Sequence, residues 1–434
     1  MNKLVMLTGT LLAISMTSPQ LLAAQDPLTP SWVSELVTGC SGTTSGLSAS
    51  KIYYVSSSGT SSGSGNSFSS PLDFTTALSK VKAGQMILLK SGTYTIDYSK
   101  GEKNTLKFTK SGKSGSMIKV VAANCGKATF DFSFPVKKWV QNSFGFYVTG
   151  NYWYFKGINI TRAGYQGVYV TGKHNTFENC AFYKNRNTGF EVNKGGAYTT
   201  VINCDSYLNY DPKKLGSMAD GFGPKQKQGK GNAFYGCRAW GNSDDGFDEY
   251  ESDVDVTIKD SWAFNNGVDS WNYGNFSGEG NGFKLGGNGS LGNPTIIRSI
   301  AFGNTAKGFD QNNNAGGITA YNNVAYKNGS NFAFGNSVES GQKHDLRNNI
   351  SLKGSVTVSN AKSSHNSWQN IGVSSSDFMS LKLSKAKVSR KKNGMIPYST
   401  LFRLTSSSSL IDAGTTTGEA YLGDAPDLGA FEKK

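Results

Sequence analysis

The stretch Asn179–Asn185 reads NCAFYKN, and its frame returns six more times along the chain. The copies are NCDSYLN (Asn203–Asn209), GCRAWGN (Gly236–Asn242), DSWAFNN (Asp260–Asn266), RSIAFGN (Arg298–Asn304), NNVAYKN (Asn322–Asn328) and a weaker NNISLKG (Asn348–Gly354). A fixed frame over that many copies marks a solenoid of stacked units. Its fifth column is Tyr183, Tyr207, Trp240, Phe264, Phe302, Tyr326 and Leu352, and its seventh is Asn185, Asn209, Asn242, Asn266, Asn304 and Asn328. In a parallel β-solenoid each residue lies about 4.8 Å above its counterpart. The aromatics are expected to stack down the core. The asparagines are expected to form a ladder at one turn, bonding amide to amide and tolerating the left-handed corner.

A second element follows the copies: Thr188-Gly189-Phe190, Asp220-Gly221-Phe222, Asp245-Gly246-Phe247, Asn281-Gly282-Phe283 and Lys307-Gly308-Phe309. The gap from the ladder asparagine to the residue before this glycine is three residues after Asn185, Asn242 and Asn304, but eleven after Asn209 and fifteen after Asn266. Two insertions, 210–219 and 267–280, therefore flank the coil that carries Asp244-Asp245. Insertions on one face of a repeat protein line its binding surface. The second holds Trp271, Tyr273 and Phe276, suited either to sugar faces or to packing the loop itself.

Register then gathers chemistry. Asp220 and Asp245 share a column one coil apart, about 5 Å between stems. Asp248 and Lys284 share the next outward column, and Asp244 adjoins Asp245. Four carboxylates this close repel one another unless a cation intervenes. Calcium (Ca2+), with six to eight oxygen ligands in flexible geometry, suits them, and Lys284 beside it reads as a base. Asp before Gly is also a common turn residue, which accounts for Asp220 taken alone, and Asp310, in the Lys284 column, reads as a turn acid. It explains the group of four less well.

The remaining chain fits a single exported unit. Lys3, an apolar run over Leu4–Leu12 and a small-residue end at Ala23-Ala24 read as a signal peptide of about residues 1–24. No later stretch reaches about 18 apolar residues, so no membrane span is expected. Residues 25–434 are expected to form one domain, with 25–85 as lead-in and cap and 370–434 as a return segment packed along the solenoid. Phe74, Ala77, Leu78 and Val81 mark a short amphipathic helix, after Asp73 and before Gly84, suited to covering the open solenoid end. Formal charge is +14, or +13 without residues 1–24. In an exported protein such an excess matches an acidic polysaccharide rather than nucleic acid. The basic run Lys382–Lys392 reads as a solvated face, and a monomer is expected. Cys180, Cys204 and Cys237 share column two, where strand spacing exceeds the usual Cβ separation of a disulfide. They are expected free, leaving Cys40 and Cys125 as the bridge. With no Cys/His cluster, zinc is not expected.

At these residues the sequence resembles polysaccharide lyase family 9, the pectate lyase L type. The resemblance rests on KIYYVSSSGT (Lys51–Thr60), LKSGTYTI (Leu89–Ile96), ADGFGPK (Ala219–Lys225), DDGFD (Asp244–Asp248), NGFKLGG (Asn281–Gly287) and APDLGAFE (Ala425–Glu432). It implies a right-handed parallel β-helix and calcium-dependent β-elimination of polygalacturonate, the acidic chain of pectin. Position by position, Asp220, Asp244, Asp245 and Asp248 match the calcium ligands and Lys284 the base. Lys225, Lys227, Lys230 and Arg238 could hold further carboxylates of the substrate. Two other readings stay open: a β-helical polygalacturonase that hydrolyses with paired carboxyl groups, and a non-catalytic polysaccharide-binding solenoid.

Overall fold

The computed structural model describes residues 29–433, so the expected signal peptide lies outside the described residues. Three parallel sheets wind as a right-handed β-helix. Sheet 1 runs over twelve strands from Ile52–Thr60 to Ala361–Ser364, sheet 2 over ten from Gly92–Thr95 to Ile350–Leu352, and sheet 3 over ten from Leu106–Phe108 to Ser355–Val358. Each coil gives one short strand to each sheet, as in Thr176–Glu178, Ala181–Tyr183 and Phe190–Val192. No helix among the described residues is long and apolar enough to cross a membrane.

Glycine and phenylalanine in the Gly-Phe element have separate jobs. A Cβ on Gly246 would lie 2.6 Å from the carbonyl oxygen of Gly282, and Gly221 and Gly282 meet the next coil in the same way. Only hydrogen fits there, so the residue before each glycine is held at a fixed height on the coil. The phenylalanines fill the interior, with Phe222, Phe247, Phe283, Phe309 and Phe332 stacked at 4.8–5.1 Å.

The fifth column stacks, but on the outside. Tyr183, Tyr207 and Trp240 lie parallel at 4.8 and 4.4 Å on the outer face of sheet 2, half-buried. Strand alternation turns the fourth column inward instead, and its small residues (Ala239, Ala263, Ala301, Ala325) make room for the phenylalanines. Further along, Phe264, Phe302 and Tyr326 are covered by the C-terminal segment through Phe402 and Leu428, forming a second apolar cluster.

The asparagine ladder forms as expected. Asn185, Asn209, Asn242, Asn266 and Asn304 each give a side-chain amide to the next Oδ1 at 2.8–3.1 Å. It does not supply the left-handed corner. Positive φ falls on columns one and six, as at Asn179, Asn203, Lys184 and Leu208, so the ladder asparagines serve by hydrogen bonding alone. A second ladder, unanticipated, occupies column two. The Cys180 amide donates to the Cys204 thiol, that of Cys237 to Ser261, that of Ser261 to Ser299, and those of Ser299 and Asn323 to Asn323 and Asn349.

The N-terminal end is covered. The helix Phe74–Lys80, capped by the Asp73 carboxylate, packs Phe74 onto Phe130 and Phe108, as the cap was expected to do. Lys110 donates to its final carbonyls of Leu78 and Val81 at 3.0 Å. The polar lead-in also contains a helix that sequence reading missed, Ser31–Leu36, whose buried Trp32 donates to Asp260 at 2.6 Å. Cys40 and Cys125 are bridged, with Cα atoms 5.9 Å apart, and the other three cysteines are free and buried.

Candidate functional site

Strand pairing places the acidic residues as the repeat implies. Phe222 pairs with Phe247, which sets Asp220 level with Asp245, and Asp248 pairs with Lys284. Oxygens of Asp220, Asp244 and Asp245 lie within 4.8 Å of one another, all three residues buried. Asp248 stands beside that trio, outside the 4.8 Å group. Its Oδ2 meets the Lys225 ammonium at 2.9 Å, and the same Lys225 Nζ lies 2.6 Å from Asp220 Oδ2. Lys225 is thus a member of the cluster, buried between two carboxylates. Burial works against its charge, but Asp220, Asp248 and Glu191 hold its pKa well above the ordinary lysine value. Arg238, by contrast, sits on sheet 2 and forks onto Asp205, away from the acidic residues.

The two insertions fold onto each other over Asp244. Ser277 binds the Leu215 carbonyl, and Tyr210 packs edge-on against Tyr273 at 4.4 Å. Tyr273 and Phe276 therefore pack the loops rather than face open solvent as sugar platforms. Asp244 pins both loops, accepting the Met218 amide at 2.6 Å on one oxygen and the Glu279 amide at 2.8 Å on the other. Asp248 and Lys284 are both buried, the lysine beside Glu279 of the second insertion, whereas sequence reading placed their column in the open.

The electrostatics are unbalanced. Burial and the Asp244 charge push Asp245 well above the carboxylate range, and burial with Asp220 raises Asp244 to about 7. For Asp248, burial is outweighed by Lys225 and Lys284, and its pKa is lowered. Asp245 Oδ1 accepts two hydrogen bonds from Asn281, at 2.7 and 2.9 Å. Its Oδ2 accepts none, although Lys284 Nζ stands 3.3 Å away as an ion pair. Four carboxylates thus face two ammonium groups, with an all-oxygen donor set and one buried, unbonded oxygen. That pattern fits a hard divalent cation such as calcium. Lys284 also meets Glu279 at 3.1 Å and stands 5.4 Å from the Tyr250 ring. Burial pulls its pKa down, but Asp245, Asp248, Glu279 and Asp244 together raise it.

From Lys225 an open groove of about 510 Å³ continues along the outer face of sheet 3, lined by Tyr147, Tyr169, Gln166 and Glu191. Glu191 and Gln166, hydrogen-bonded at 2.8 Å, carried no motif that sequence reading could single out.

A right-handed parallel β-helix with a buried acidic cluster at the edge of one sheet defines the class of protein to which comparison now adds a family. Residues 53–371 match the Pel9A-like right-handed β-helix region, and the chain belongs to this family, polysaccharide lyase family 9. It is 62% identical over 403 residues to Pectate lyase L of Dickeya chrysanthemi, covering 92% of this chain and 95% of that protein. The solved pectate lyase Pel9A superposes with a TM-score of 0.90 at 61% identity, over 92% of this chain and all of that one. A solved rhamnogalacturonan lyase follows the same path with a TM-score of 0.71 at 28% identity, over 82% of this chain and 97% of its own.

Proposed function

We propose that the protein is an exported pectate lyase that cleaves polygalacturonate by calcium-dependent β-elimination, with Lys284 as the base. The lyase activity rests on the 62% identity to Pectate lyase L across almost the whole of both chains. The observation that supports the mechanism is the placement of the Lys284 amine 3.3 Å from the one unbonded oxygen of the buried acidic cluster.

Asp220, Asp244, Asp245 and Asp248 would hold the calcium ion. When bound there, it supplies Lewis-acid charge to the uronate carboxylate beside the reacting carbon. Lys284 takes the proton from C5, the C5–H electron pair becomes the C4–C5 double bond, and the C4–O bond to the neighbouring sugar breaks, its electron pair leaving on the glycosidic oxygen, which takes a proton from water. A base must first be neutral. The carboxylates around Lys284 hold its proton on, so neutralising them is the condition for its action. Glu279 of the second loop and the Tyr250 ring flank the buried lysine, and the groove from Lys225 along sheet 3 offers the path for the chain.

The test is incubation with polygalacturonate, with and without excess chelator, following ultraviolet absorbance of the new double bond. Growth of absorbance that stops on chelation is expected. Reducing ends without absorbance would make the protein a hydrolase. Activity unchanged in chelator would remove calcium from the mechanism.

A further inference from the structure

The basic run Lys382–Lys392 keeps Lys382, Lys387, Lys391 and Lys392 in solvent, while its backbone is pinned to the solenoid. Arg238, from the floor of sheet 2, donates to the carbonyls of Ala386 and Val388 at 3.0 and 2.8 Å. Arg390 returns the contact, donating to Asp205 at 2.7 Å, to the Gly236 carbonyl at 2.9 Å and to the Cys204 carbonyl at 3.1 Å. These bonds fix the segment as a wall over the outer face of sheet 2. Lys127, beside the disulfide, forms another rim; its Nζ bonds to Asn179 Oδ1 at 2.6 Å, and Asn179 donates to the Lys392 carbonyl at 3.3 Å, so rim and wall meet there. Between them lies an open groove of about 440 Å³, within the roughly 300–1,000 Å³ typical of ligand sites.

Its chemistry is lopsided. Lys127, Arg238, Lys387, Arg390, Lys391 and Lys392 line it against a single carboxylate, Asp205. The two guanidiniums already share that carboxylate, which they hold at about 2 against the effect of burial. Lys387, Lys391 and Lys392 are exposed, with no ion-pair partner among the described residues. Part of the floor is aromatic, the half-buried rings of Tyr207 and Trp240 stacked at 4.4 Å. Ring faces beside an unmatched row of cations suit a sugar chain that carries carboxylates.

The geometry points to a second, non-catalytic polyuronate-binding groove on sheet 2, which holds a stretch of polygalacturonate while the acidic cluster by sheet 3 acts on another. The identity of the sugar rests on the lyase reading, while the preference for a polyanion rests on the groove itself. It contains no acidic cluster and no lysine held by one, so it retains the polymer without cleaving it.

The test is native electrophoresis of the full chain through gels containing polygalacturonate, with chelator present and with Lys284→Ala so that the polymer is not consumed. In that background Lys387→Gln, Lys391→Gln and Lys392→Gln are combined. The control combines Lys80→Gln, Lys82→Gln and Lys90→Gln, exposed lysines elsewhere. The groove triple is expected to weaken retardation about fivefold or more, about 1 kcal/mol in all, with the control close to the parent. With Lys284 restored, the groove triple should turn over trigalacturonate at the unsubstituted rate. Equal retardation of parent and groove triple would overturn the proposal. So would equal loss in the control, which would reduce the effect to net charge, equal retardation in fully methyl-esterified pectin, or stronger retardation by DNA. Because retardation is read without turnover, absence of elimination by the unsubstituted protein would sink the lyase reading and leave the groove standing.

Discussion

Lys284 and Lys225 are two buried lysines in one acidic cluster, and their surroundings give them different work. Lys284 touches the oxygen of Asp245 that accepts no hydrogen bond, whereas Lys225 is locked between Asp220 and Asp248. Arginine keeps the charge at position 284 but cannot shed its proton at a working pH. Lys284→Arg is therefore expected to lower turnover roughly 100- to 10,000-fold while calorimetric calcium affinity stays nearly the same. An arginine variant that keeps most of its elimination rate would move the base elsewhere. Lys225 compensates charge. Lys225→Met should cost the metal-free protein about 3–5 kcal/mol, because two buried carboxylates lose their partner. Calcium should restore much of that loss, so the rise in Tm on adding calcium should be larger in the variant than in the parent. An equal rise in both would separate Lys225 from the carboxylates proposed to hold calcium.

At the scale of the element, the ladders keep successive coils in register. Asn242 accepts from the Asn209 amide at 2.8 Å, donates to Asn266 at 3.0 Å and donates to the Ser206 carbonyl at 3.2 Å, fully buried. Asn242→Ala leaves buried donors and acceptors unmatched and should cost roughly 1–3 kcal/mol for each such group, seen as a lower denaturation midpoint. A midpoint unchanged from the parent would make the ladder decorative. The last coils carry a pH-sensitive element in His344, whose Nδ1 accepts the Ile318 amide at 3.1 Å while its Nε2 is buried without a partner. Burial lowers its pKa to about 4 from an ordinary 6.5. The folded state prefers the neutral ring, so this contribution is complete above pH 6.5 and is lost as pH falls towards 4. His344→Gln should flatten that limb of the stability–pH curve; a curve parallel to the parent's between these values would refute the assignment.

For the whole molecule, the Cys40–Cys125 bridge joins the lead-in to an early coil across 85 residues. Chain-entropy arguments give such a closure roughly 4 kcal/mol. Cys40→Ser with Cys125→Ser should lower Tm and leave calcium affinity intact, because the bridge lies away from the acidic cluster. Alkylation of the native protein should label none of Cys180, Cys204 and Cys237, all buried in the column-two ladder. Reaction of those thiols without unfolding would mean that the ladder opens.

By itself, the sequence determined the solenoid, the asparagine ladder, the capping helix and the alignment of Asp220 with Asp245 and of Asp248 with Lys284. All of these follow from strand period and coil length, which are local and repeat. What only the tertiary structure decided depends on which surface meets which. The fifth-column aromatics face outward because the interior already holds the Gly-Phe rings, a choice that alternation alone leaves open. Lys225 enters the cluster because its side chain turns back past its own strand to meet Asp220 and Asp248. The second insertion brings Glu279 to Lys284 while the two insertions pack on each other across some sixty residues of sequence, and no short pattern encodes that. The basic C-terminal run keeps its lysines solvated, but its backbone is fixed along sheet 2 because Arg238 and Arg390 bridge segments about 150 and 185 residues apart. Contacts of that range are set by where the coils end up, and the repeat says nothing about them.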